Sequence, residues 1–317
     1  METRRLAAPP PSLSGGRLAP TPEFLNRFRE AVLAWSDGGG GWRDLPWRRT
    51  RDPWAVLVSE VMLQQTQVLR VVPRWFAFLA RFPDAAACAE APTAEVIRYW
   101  VGLGYNRRAV RLQRAAVEVV ARHGGRLPET RAALEALPGV GPYTARAVLA
   151  FAFEQPLGVV ETNTGRVLAR AVAGRRLGPR EAQASADALV PVSSPERSWR
   201  WNQAMLDLGA GFCTAARPAC GRCPLRARAC AWAAAGFPSP DPAQRSAGVS
   251  GRQEAFDGSD RQGRGRLVRA LQDGPIAGDD WASAAGWPGD PLRAARVAAS
   301  LVADGLAVRV GDALALP

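Results

Sequence analysis

The chain has 317 residues, 47% of them hydrophobic, enough to bury one large or two modest cores and far from a disordered composition. Apolar runs such as Trp54 to Leu63 are broken within ten residues and Met1 to Gly16 has no apolar centre, so neither a membrane span nor a secretory signal is expected and the protein should be soluble and cytoplasmic. A formal net charge of +12 points to a polyanionic partner, nucleic acid above all, although all 41 basic residues are arginine and a generally basic proteome would raise the charge too.

Residues 1–21 are rich in Pro, Gly and Ala without periodicity and read as a disordered lead. From Pro22 to Trp232 apolar positions recur at three- and four-residue spacing, as in FLNRFREAVLAW, VRLQRAAVEVV, ARAVLAFAF and EAQASADALV, which predicts helices nearly throughout. This core runs over 22–235. Residues 236–258 read as a linker by their Pro, Gly and Ser content. In 259–317, helical runs are followed by two short alternating stretches joined at Gly311-Asp312, a two-residue hairpin signal, so a small winged-helix-like domain is expected there.

Within the core, the first chemistry-bearing stretch is SEVMLQQTQV (Ser59 to Val68). On a helix Glu60, Gln64 and Gln67 would share one stripe, and a carboxylate on so apolar a helix loses hydration, which favours the acid form and suits it to donate a proton. An ordinary surface glutamate would be the plain alternative. Further on, LPGVGPYTARAVLAF (Leu137 to Phe151) has Gly139 and Gly141 in a turn before a helix expected to start near Tyr143 or Thr144. Its unpaired first amides can cradle a phosphate, the hairpin of a helix-hairpin-helix unit. Then come Cys213, Cys220, Cys223 and Cys230, separated by six, two and six residues. Such a cluster in a cytosolic chain suits a metal better than disulfides, and thiolate softness alone admits either zinc or a [4Fe-4S] cluster. Cys88 stands apart and reads as a small buried side chain.

These motifs, with LPWR (Leu45 to Arg48), WVGLGYNRRA (Trp100 to Ala109) and NQAMLDLGAGFC (Asn202 to Cys213), resemble in order and spacing the MutY-type adenine DNA glycosylases of the endonuclease III superfamily. The resemblance covers about residues 22–232. It implies an all-α helix-hairpin-helix glycosylase fold: a six-helix barrel domain over about 48–156, and an iron-sulfur helical domain built from 22–47 plus 157–235 and holding a [4Fe-4S] cluster on the four cysteines. The expected partner is double-stranded DNA with a mispaired or damaged base, with the protein a monomer on the nucleoid.

By the same resemblance Glu60 takes the place of the acid that protonates departing adenine, from a base flipped out of the duplex. Gln64 and Gln65 take those of the groups that wedge into the duplex and meet the orphaned base, and Tyr105 that of the intercalating tyrosine, with Asn106 in place of a second one. Arg107, Arg108, Arg111 and Arg114 would border the phosphate track. Gly139, Gly141 and Thr144 belong to the DNA-holding hairpin. Tyr143 stands where bifunctional relatives carry an imine-forming lysine, and this chain has no lysine, so a monofunctional enzyme is expected. Glu161 replaces the aspartate that faces the cationic sugar, with Asn163 two residues on. The added methylene, together with Thr164 and Gly165 in the following turn, leaves a lesion-binding protein with lost chemistry as one alternative and a thymine or uracil mismatch glycosylase as another. The last cysteine interval is one residue longer than usual, and the tail is too short and too helical for the larger module with which many relatives read 8-oxoguanine.

Overall fold

The computed structural model describes residues 20–40, 43–249 and 255–317; the disordered lead expected over 1–21 lies outside them except for its last two residues. The helices in chain order are α1 (Pro22–Asp37), α2 (Pro53–Leu63), α3 (Val68–Arg81), α4 (Ala85–Glu90), α5 (Thr93–Trp100), α6 (Arg107–His123), α7 (Arg131–Glu135) and α8 (Pro142–Phe151). They continue with α9 (Thr162–Val167), α10 (Pro179–Leu189), α11 (Pro195–Gly211), α12 (Ala231–Ala234), α13 (Asp260–Ala270), α14 (Trp281–Ala285) and α15 (Pro291–Ala303), ending in strands β1 (Val308–Val310) and β2 (Ala313–Ala315). Among the described residues no helix is long and apolar enough to cross a membrane.

The chain forms two compact units. The first joins its N-terminal part, up to Asp44, to Glu154–Gly251. Thr21 caps α1 by accepting from the Phe24 amide, and the four-residue spacing of Phe28 and Val32 turns both into a core shared with Leu168, Leu189, Trp201, Met205 and Leu208. Phe28 meets Trp201 edge-on, with ring centroids 6.0 Å apart. The N-terminal helix α1 thus packs with segments that follow α8. The segment expected to be a linker behaves otherwise in part. Asp241 pairs with Arg170, Ser246 accepts from the Leu177 amide at 3.1 Å, and Ala243 and Ser246 are buried. Buried polar groups need partners, and these residues supply them to the unit's interior.

The second unit joins Leu45–Phe153 to Arg252–Pro317. Helix α2 is buried along almost its whole length, and the indoles around it find carbonyls: Trp54 Nε1 donates to Phe82 O at 3.0 Å and Trp75 Nε1 to Ala55 O at 2.9 Å. Cys88 is wholly buried, and burial pushes its thiol up to about 12, which leaves it an inert space-filler. In the C-terminal part three helices precede an antiparallel hairpin whose Val310↔Ala313 pair closes the turn at Gly311-Asp312, and Ile276 bridges to Leu314 on its other edge. Its core of Leu267, Trp281, Val297, Leu301 and Leu314 takes in Ile97 of α5 and Val110 of α6. This small domain therefore shares its hydrophobic interior with the helices before it, each such side chain being worth about 1.5–3 kcal/mol on burial.

Candidate active site

The hairpin turn lies between α7 and α8. Gly139 has φ +81°, and a Cβ there would lie 2.9 Å from Cβ of Arg111, so both the left-handed backbone and the close approach of that arginine's stem require glycine. Helix α8 starts at Pro142, one residue earlier than the earlier of its two expected starts. Gly141 at its N-cap makes no side-chain cap hydrogen bond to the first turn of α8.

Tyr143 in that first turn donates its Oη–H to Glu60 Oε2 at 2.8 Å, with Glu60 buried on the last turns of α2. One residue on, the hydroxyl of buried Thr144 accepts from Gln64 Nε2 at 3.2 Å. One side-chain bond thus joins the candidate acid on α2 to the first turn of α8, and a second joins the C-cap of α2 to the next residue of that turn.

The expected helical stripe of Glu60, Gln64 and Gln67 does not form. Helix α2 ends at Leu63, Gln64 is its C-cap, Gln65 is left-handed at φ +55°, and Gln67 caps the start of α3. The cause is Arg108. Its Nη1 donates to Val61 O at 2.7 Å, Met62 O at 2.9 Å and Gln64 O at 2.7 Å, while Nη2 donates to Thr66 Oγ1 at 2.9 Å and Gly104 O at 2.9 Å. One guanidinium satisfies the last carbonyls of α2 and stops the helix. Arg108 is accordingly buried, with burial pulling its pKa down to about 10, and it belongs to the frame that presents Gln64 and Gln65 rather than to the phosphate track expected for it. Its four-residue spacing from buried Leu112 and seven-residue spacing from Ala115 was the available signal.

Tyr105 sits at φ +47°, with its ring centroid 5.6 Å from the Arg108 guanidinium carbon. Arg107 remains largely exposed beside Asp304, 3.2 Å away. Gln64, Gln65, Tyr105 and Arg107 line one cavity of about 740 Å³, together with Arg111 and residues of the C-terminal part.

In the other unit, Glu161 is the N-cap of α9. Its Oε1 accepts from the amides of Asn163 at 2.7 Å and Thr164 at 2.9 Å, and Oε2 accepts from Asn163 Nδ2 at 3.1 Å. Asn163 Oδ1 in turn accepts from Arg166 Nη2 at 2.5 Å. Burial pushes the Glu161 carboxyl above its ordinary range, opposed by the two amides, Arg166 and the Asn163 side chain, all of which favour the anion. The extra methylene relative to aspartate is taken up in this cap. Gly165 answers a neighbour: a Cβ there would lie 2.4 Å from Ala247 O, so the segment that reads as a linker can press on this turn only because position 165 is glycine. Thr164 has a cost, since its hydroxyl is buried with no hydrogen-bond partner among the described residues.

The four cysteines lie in the same unit, all half-buried and unpaired as disulfides. Cys213, Cys223 and Cys230 pack against one core, and the ionisation of Cys230 is opposed by the charges of the other three, so the thiols are neighbours. Among the described residues no group of three lies close enough to ligate a metal as they stand. As a donor set they still suit an iron-sulfur cluster or zinc. Arg170, fully buried, organises the loop: it donates to Cys213 Sγ at 3.4 Å and Thr214 O at 2.7 Å and is held by both carboxylate oxygens of Asp241. Burial nevertheless raises the thiols of Cys213, Cys223 and Cys230, the last to about 11, so a cluster would have to displace their protons.

Residues 58–191 match the family described as HhH-GPD superfamily base excision DNA repair protein. Among solved structures, that of a thermostable thymine-DNA glycosylase matches with a TM-score of 0.60 and 27% identity, covering 67% of this chain and 97% of the other. Fold and hairpin thus define a helix-hairpin-helix protein of base-excision DNA repair. Over 290 residues the chain is 42% identical to an adenine DNA glycosylase of Mycobacterium tuberculosis, covering 90% of this chain and 92% of that protein. It is 37% identical over 219 residues to a thymine/uracil-DNA glycosylase of Pyrobaculum aerophilum, covering 67% and 94%. The chain belongs to the adenine DNA glycosylases of this superfamily.

Proposed function

We propose that the protein is a monofunctional glycosylase that hydrolyses the N-glycosidic bond of adenine mispaired with 8-oxoguanine or guanine in double-stranded DNA, acting as a monomer on the nucleoid. The observation that carries this reading is the bond from Tyr143 to buried Glu60, which sets a carboxyl at the foot of a phosphate-holding turn in a chain without lysine. The α8 amides and the arginines around them hold the duplex while the target nucleotide is flipped out. Glu60 gives its proton to the adenine ring as the bond to the sugar breaks and its electron pair leaves with the base. Glu161, whose anion is disfavoured by burial and favoured by its amide and Arg166 partners, faces the positive charge that develops on the sugar, Asn163 fixes its orientation, and water adds at the vacated carbon, its proton passing to the Glu60 carboxylate. Cys213, Cys220, Cys223 and Cys230 would hold a [4Fe-4S] cluster, which when bound supplies a rigid cross-link of the second helical segment.

Excision assays with adenine opposite 8-oxoguanine or guanine, and with thymine or uracil opposite guanine, test the reading. Adenine release by the parent and none by Glu60→Gln, with mispair binding retained, is the expected result. Release of thymine or uracil without adenine would reassign the substrate, and turnover by Glu60→Gln would remove the assigned acid.

A further inference from the structure

The cavity of about 740 Å³ has two walls. One carries Gln64, Gln65 and Tyr105; the other comes from the C-terminal part, with Phe256, Arg261 and Arg264. Six arginines and one carboxylate, Asp304, line it. That carboxylate is already engaged by Arg107 at 3.2 Å and Arg264 at 2.6 Å. A cationic cleft with aromatic rings on both sides suits an unstacked nucleotide and its flanking phosphates, since rings accept any base face and guanidiniums follow the backbone. Its volume falls within the range of about 300–1,000 Å³ usual for ligand sites.

Arg261 links the two walls. From the first turn of α13 its Nη1 donates to Tyr105 Oη at 2.9 Å, and its guanidinium carbon lies 5.9 Å from the Phe256 ring centroid. Tyr105 is a non-glycine residue in left-handed backbone, a conformation that persists only where the surroundings hold it. Arg108 holds its backbone carbonyl at 3.3 Å and lies near its ring; Arg261 holds its far end. The shared core of Ile97 and Val110 with Leu267 and Leu301 fixes α13 against the helices on either side of this tyrosine.

We propose that Arg261, from the first turn of α13, is the positioning residue of Tyr105 in mispair recognition. The proposal rests on the reading of Gln64, Gln65 and Tyr105 as the groups that meet the lesion. Arg261 acts through the phenol: it fixes the ring at the height at which it enters the stack, and a point charge alone does not replace its planar fork.

The test is a double-mutant cycle on the full-length protein. Binding is measured to a duplex with a non-hydrolysable 2′-fluoro adenosine opposite 8-oxoguanine, and to the same duplex undamaged. Arg261→Ala and Tyr105→Phe should each weaken mispair binding on the order of tenfold, with much smaller changes on undamaged DNA, and the double variant should be no worse than either single one. Arg261→Lys should recover little of the preference. Thermal melting of each variant shows whether the fold is kept, and Arg261→Gln, the milder replacement, carries the same expectation should the alanine variant unfold. Parental preference in Arg261→Ala and Arg261→Gln would overturn the proposal. So would equal losses on both duplexes with a salt slope reduced by about one, the mark of a plain phosphate contact, or additive losses in the double variant. A parent without preference for the mispair, or a Tyr105→Ala variant that keeps it, would instead overturn the lesion-reading assignment and this proposal with it.

Discussion

Replacing Glu161 by glutamine separates the carboxyl's part in chemistry from its part in folding. The amide oxygen can still accept from the Asn163 and Thr164 amides that now bond Oε1 at 2.7 and 2.9 Å, so the cap of α9 survives, while the negative charge is gone. If that charge faces a cationic sugar, its loss should lower the single-turnover rate on the order of 100- to 1,000-fold, about 2.7–4 kcal/mol of barrier. Glu161→Asp keeps the charge and a good cap and should lose less than the glutamine variant, at most on the order of the 100-fold that an ångström of misplacement can cost. The pH profile gives a second readout. Burial holds the Glu161 pKa above its ordinary value, so the parent's rate should fall on the acid side at a higher pH than an ordinary carboxylate would impose, and this limb should vanish in the glutamine variant.

Stability moves the other way. With the folded pKa above the unfolded one, the folded state binds more protons between the two values. The parent therefore loses stability as pH rises through that window, and the glutamine variant does not. The difference in melting temperature, variant minus parent, should grow with pH across it. Parental rates in Glu161→Gln at every pH, or an acid limb unchanged in that variant, would refute the assigned role.

Protein purified without oxygen should contain about four irons per chain and absorb broadly in the visible, as a [4Fe-4S] cluster on the four cysteines requires; stoichiometric zinc without iron would refute it. Borohydride should trap no side-chain-linked DNA adduct, because no lysine exists to form an imine, and product strands should break only after alkali or heat; strong trapping in a variant with a blocked N-terminus would contradict this. Thr164→Val should stabilise the protein by about 1 kcal/mol, because it removes a buried hydroxyl without a partner and keeps the shape, and chemical denaturation would detect it. A loss of stability would mean that the hydroxyl is satisfied in solution.

Much was legible in the order of residues because it depends on near neighbours. Helix periods, the turn at Gly139 and Gly141, the hairpin at Gly311-Asp312 and the spacing of the cysteines are all set within a few positions along the chain. The missing lysine, a matter of composition, rules out a side-chain imine in any fold. What stayed hidden depends on groups far apart in sequence. Arg108 ends α2 from more than 40 residues away, so the run that reads as one continuous stripe breaks at Leu63. Asp241 and Ala247 fold back on Arg170 and Gly165, so residues with linker composition become interior packing. Arg261 reaches Tyr105 across 156 positions. A buried guanidinium or carboxylate must find partners wherever the chain brings them. Local sequence determines which elements form, and only tertiary packing decides which polar groups those elements satisfy.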